Sequence, residues 1–139
     1  MLCYSCGNNV KDKVFSQFDP DKPDTKANKE RFNEFVGVEL TEDVKNIYCF
    51  DDAIGIDADY QFAFNCDSAT IKRIIEKQHL ERDSLTTDYG FGMQNDFPWW
   101  DKQKIATLPL YSWNKDEQYF KYLWYDSNEQ KAYYFEFDL

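Results

Sequence analysis

Two aromatic runs near the C-terminus, Tyr119 to Tyr125 and Lys131 to Phe137, are separated by the polar stretch Asp126-Ser127-Asn128-Glu129-Gln130. Nothing else in the chain restricts its fold as strongly. Tyr, Phe and Trp favour the pleated, half-buried surface of a strand. In the second run Tyr133, Phe135 and Phe137 alternate with Tyr134, Glu136 and Asp138. A period of two predicts a strand with one buried face and one wet face. The polar interval reads as the turn of a hairpin. A further strand is expected from Ile105 to Trp113, with Pro109 placing it at an edge because proline cannot donate to a ladder. The chain therefore ends in a three-strand meander.

Upstream, the hydrophobic period changes. Phe32, Phe35 and Val36 fall at i, i+3 and i+4, so a helix is expected to start at an Asp24 or Thr25 cap and stop at Gly37. Val38 to Val44 is ambiguous. Lys45 to Phe50 and Tyr60 to Cys66 read as strands, joined by an acidic connection around Gly55. A second helix is capped by Ser68 and carries Ile71, Ile74, Ile75 and Gln78 on one face. Glu81 to Pro98 reads as a long irregular loop broken by Gly90-Phe91-Gly92 and Asn95-Asp96-Phe97-Pro98. The expected fold is α+β: an antiparallel sheet of five or six strands with two helices packed on one face.

At 139 residues, 19% of them aromatic, the chain can bury the core of one domain. Residues 14–139 are assigned to that domain and residues 1–13 to a tether. The net charge of −10 is uneven. From Gly37 to Asp67, eight acidic residues stand against Lys45 alone. Such a field disfavours nucleic acid and anionic lipid, and favours a basic protein partner.

The N-terminal stretch Cys3-Tyr4-Ser5-Cys6-Gly7-Asn8-Asn9 resembles the cleavage site of bacterial lipoproteins, with Ser5 as the small residue before the cysteine. The resemblance implies lipidation at Cys6, a signal-peptide remnant before it and a cell-envelope, periplasm-facing location; without the lipid the chain would be cytoplasmic. Cys3 stands where the family usually has Leu. The same two cysteines also form a CxxC pair, compatible with free thiols, a redox pair or half of a zinc site. Cys49 and Cys66 lie on expected strands and could form a disulfide in an exported protein, or serve as small buried hydrophobes.

Chemistry-bearing motifs are sparse. His79 is the single histidine, at a helix end, and reads as solvent-facing. Asp51, Asp52, Asp57 and Asp59 do not match the spacing of a calcium loop, so no metal is expected. The five glycines are scattered and form no phosphate loop, and no cofactor is expected. Trp99 and Trp100, entering a strand, would point to opposite faces and offer an interface anchor or a sugar platform.

In overall character the chain resembles bacterial toxin-immunity proteins, with loosely similar patterns at Leu40-Thr41-Glu42-Asp43-Val44-Lys45-Asn46-Ile47 and at the helix Ile71–Ile75. That resemblance implies a non-catalytic, monomeric binder of a basic toxin. The expected binding set is Glu39, Glu42, Asp43, Asp51, Asp52, Asp57, Asp59, Trp99 and Trp100. The alternative is an envelope lipoprotein that binds or hydrolyses carbohydrate.

Overall fold

The computed structural model describes residues 19–52, 59–83 and 94–138. Among the described residues six strands form one antiparallel sheet: β1 (Lys45–Asp52), β2 (Asp59–Asn65), β3 (Glu81–Asp83), β4 (Leu110–Lys115), β5 (Tyr119–Asp126) and β6 (Lys131–Asp138). Their spatial order is β1-β2-β6-β5-β4-β3. The expected α+β class is met, and β4, β5 and β6 form the C-terminal meander. The last strand is not an edge. It lies between β2 and β5 and pairs along its length with both.

Position in the sheet explains the first departure from the sequence reading. No face of β6 is wet: Ala132 to Phe137 are all buried. On one side Phe62, Phe64, Leu123 and Tyr134 pack with Phe32 and Val36 and with Ile71 and Ile74 of the two longer helices. On the other side Tyr122, Trp124, Tyr133, Phe135 and Phe137 pack with Trp99, Trp100 and Ile105. The sheet is sandwiched, and each large side chain so buried contributes about 1.5–3 kcal/mol.

The second covering layer comes from residues read as loop and strand. Phe97 to Trp100 is a tight turn in which the Trp100 amide donates to the Phe97 carbonyl at 3.0 Å. A turn, unlike a strand, lets consecutive side chains share a side. The Trp99 and Trp100 rings meet edge to face at 6.2 Å, and Trp100 also meets Tyr133 at 5.5 Å. Each indole N–H is satisfied, Trp99 by the Pro20 carbonyl at 2.6 Å and Trp100 by Gln94 at 2.7 Å. A one-turn helix, α3 (Lys102–Ile105), follows with Asp101 as its cap, so strand β4 begins only after Pro109.

The first layer is built as the capping rules require. Helix α1 (Lys26–Arg31) is capped by Thr25, whose hydroxyl accepts from the Asn28 amide at 3.1 Å. Helix α2 (Ser68–Gln78) is capped by Asp67, one residue before the expected Ser68; its carboxylate accepts from the Thr70 amide at 3.2 Å. Helix α2 ends in a paired closure: the His79 amide donates to Glu76 and the Leu80 amide to Ile75, with His79 left-handed at φ 59°.

Candidate functional site

After Arg31 the helix widens into a π-helical turn, Phe32–Val36, closed by the Gly37 amide donating to the Phe32 carbonyl at 3.0 Å. Such turns are rare and cluster at functional positions. Gly37 ends it at φ +83°, and a Cβ there would sit 2.9 Å from Gln78 Nε2. That amide donates to the Val36 carbonyl at 2.7 Å and the Phe35 carbonyl at 3.2 Å, while Gln78 Oε1 accepts from Lys121 at 2.7 Å. The turn is therefore fixed from α2 and β5. Phe32 and Val36 are fully buried, and Phe35 is left at the rim, stacked on Tyr60 with ring centroids 3.8 Å apart.

Beside this turn lies a groove of about 320 Å³ lined by Glu30, Arg31, Glu34, Phe35 and Asp51. The segment leading into helix α1 is tied to the start of β1. The Asp24 amide donates to Ile47 at 2.9 Å, and the Asp24 carboxylate accepts from the Asn46 and Ile47 amides. Further along, Arg31 Nε donates to Asp51 Oδ2 at 2.7 Å. The Asp51 side chain is only 9% exposed. Its other oxygen, Oδ1, is buried and has no hydrogen-bond partner. Glu30 and Glu34 are exposed at the rim. The Tyr60 hydroxyl behind Phe35 is pushed up to about 12, by burial first and then by the Asp51, Glu136 and Glu34 carboxylates.

A second, larger groove of about 570 Å³ is lined by Val38, Glu39, Arg73, Glu76, Lys77 and His79. Its charges are mixed. Arg73 is already committed, donating to the Glu39 carbonyl and to the hydroxyls of Thr41 and Thr70. His79 is exposed, and its backbone closes α2.

Under the first layer sits a buried carboxyl, Glu136, 5% exposed. It accepts from the Tyr134 hydroxyl at 2.8 Å and from the Tyr119 hydroxyl. Burial pushes it up to about 8. Lys121 lies opposite on β5, but its amine turns to Gln78 and to the Trp113 ring, 4.8 Å away. Burial lowers the Lys121 ammonium.

The acidic block that dominates the sequence does not form one patch. Glu39, Glu42 and Asp43 precede β1, while Asp51 and Asp52 close it, about 20 Å away at some 3.3 Å per residue. Asp43 serves the interior: burial opposes its charge, but the Thr41 and Thr70 hydroxyls and the Asp67 amide outweigh burial and hold it far below the usual carboxylate range. The Asp52 backbone pairs with Asp59 at the end of β1. Asp57 and Cys6 lie outside the described residues. Trp99 and Trp100, expected at the partner face, are 6% and 3% exposed and belong to the core.

The disulfide between Cys49 and Cys66 is not formed: both are free and buried. Their register explains it. Cys49 lies opposite Phe62, four residues before Cys66 along the chain, whereas bridged cysteines need Cα atoms within about 7 Å. Burial raises both thiols, Cys66 to about 12.

Among the described residues no group of three or more His, Cys, Asp or Glu side chains is placed to hold a metal. No helix among them is long and apolar enough to cross a membrane. Comparison with protein-family models, curated proteins and solved structures finds no match.

Proposed function

We propose that the chain is a non-catalytic binding protein of the toxin-immunity kind, which captures a basic protein through the α1–β1 side of its helical layer. The observation that carries this reading is a set of uncommitted charges. Glu30, Glu34, Glu39 and Glu42 are exposed, and among the described residues none of them takes part in an ion pair. From Glu30 to Asp52 seven acidic residues stand against Arg31 and Lys45, and Arg31 is spent on Asp51. Like-charge crowding of this kind costs the folded chain some stability and speeds encounter with a basic partner.

The binding face of this proposal differs from the set expected from sequence. Glu30 and Glu34 join Glu39, Glu42 and Asp51, while Trp99 and Trp100 leave it for the core. Asp43 is placed with the structural residues. The carbohydrate alternative loses the exposed tryptophan platform it relied on. Lipidation at Cys6 belongs to the same proposal and would put the encounter in the periplasm.

The test is calorimetric titration of the purified protein into basic proteins encoded beside its gene. A one-to-one complex that weakens steeply between low and high salt is expected, with Glu30→Lys/Glu34→Lys abolishing it. The absence of any complex with those proteins would overturn the reading.

A further inference from the structure

We infer that the groove beside the π-helical turn seats the ammonium group of one lysine side chain from the basic partner, with Asp51 as its receptor. The inference rests on the binding-protein reading above and specifies the chemistry of its contact. A buried acceptor without a donor is an uncommon and costly feature of a folded chain. Asp51 Oδ1 is such an acceptor, on a side chain 9% exposed that lines the groove. A donor arriving from outside would satisfy it.

The surroundings select the kind of donor. Glu30 and Glu34 at the rim favour a cation. The Phe35 ring, held flat against Tyr60, offers an apolar wall along which a four-carbon stem can lie. A guanidinium binds a carboxylate best through both oxygens, but Arg31 already occupies Oδ2 at 2.7 Å. One oxygen remains, which suits the compact point charge of an ammonium. A bare divalent cation is disfavoured by the same Arg31 guanidinium. Because Oδ1 is shut off from solvent, seating requires a side-chain shift at the groove floor that leaves Arg31 on Oδ2.

The experiment uses the whole protein and the probe peptide Ac-Ala-Ala-Lys-Ala-Ala-NH2, followed by amide and aromatic NMR shifts. Two matched peptides carry arginine, or norleucine, which keeps the stem and lacks the amine. The lysine peptide is expected to give saturable shifts at Phe35, Asp51 and Tyr60, with the arginine peptide at least threefold weaker and the norleucine peptide silent. Asp51→Asn should remove the shifts. Should that variant lose its native spectrum, Glu30→Gln and Glu34→Gln, at exposed positions, decide: each should weaken binding two- to threefold. Equal response to norleucine, equal shifts at Glu39 and Glu42, or no saturable shift would each overturn the lysine seat. These outcomes are separable from the broader reading. A salt-sensitive complex with the basic protein that survives Asp51→Asn leaves capture intact and removes only the seat. Lysine-peptide binding without any protein complex supports the seat and removes the immunity-type role.

Discussion

Glu136 is the residue whose environment contradicts its chemistry most. An ordinary glutamate titrates near 4.3, yet burial holds this one at about 8. Between those values the folded chain binds a proton that the unfolded chain has released. Its stabilising contribution is therefore full below about pH 4, declines as the pH rises through that window, and is lost above about 8. Glu136→Gln keeps the shape and does not titrate. Its melting temperature should match the parent near pH 4 and exceed it at pH 9, as measured by thermal unfolding across that range; parallel pH profiles would contradict the assignment. Asp43 works in the opposite direction. Its carboxyl is held down in the folded state, so its contribution is present above about pH 4 and lost as the pH falls further. His79 offers a second check at this scale. It pays a left-handed backbone penalty at the end of α2, so His79→Gly should raise stability by about 1 kcal/mol in denaturant titration. A loss of stability would mean that the imidazole itself has a role. Neither Glu136 nor the Arg31–Asp51 pair was legible in the sequence. Alternation assigned Glu136 to a wet face, because a period of two cannot say whether the second face is covered. Arg31 and Asp51 are twenty positions apart, and no local pattern links them.

Elements were legible in proportion to how locally their signals are written. Strands β1, β2, β5 and β6 appear within one or two residues of their expected bounds because aromatic and β-branched runs end at clear turns. Helix α2 is where its apolar face put it. The failures share a cause. The stretch from Phe97 to Leu108 has no sustained period, and its fold is decided by what it covers rather than by its own propensities. The π-helical turn is likewise invisible to spacing, since i, i+3 and i+4 positions fit either helix; its cause is the Gln78 clamp from another element. Two substitutions test these points. Trp100→Ala removes a ring packed on Trp124, Tyr133 and Phe135 and should cost about 3–5 kcal/mol in chemical denaturation. A cost under about 1 kcal/mol would mean that the second layer is not part of the core. Gly37→Ala brings a Cβ against Gln78 in a left-handed position, and should cost about 1–2 kcal/mol while shifting the NMR signals of Phe35 and Tyr60. Unchanged aromatic signals would detach the groove from the turn.

The described residues form a sheet covered on both faces, with the exposed acids Glu30, Glu34, Glu39 and Glu42 spread from helix α1 to the segment before β1. Hydrophobic periodicity made the α+β architecture readable, and the charge count raised the expectation of a basic partner. The count also misled, because a run of acids along the chain is divided by the fold between two ends of a strand and between interior and surface. Glu30 and Glu34 escaped notice since their segment is neutral on average, although their i,i+4 spacing on a helix was a usable signal. The proposed binding face is the α1–β1 side of the helical layer. It is tested by hydrogen–deuterium exchange on the complex with the basic protein proposed as the partner. Slowed exchange across residues 30–42 and the Asp51 end of β1, with β3 and β4 unchanged, is the predicted result. Protection confined to the opposite edge, at β3 and β4, would contradict it.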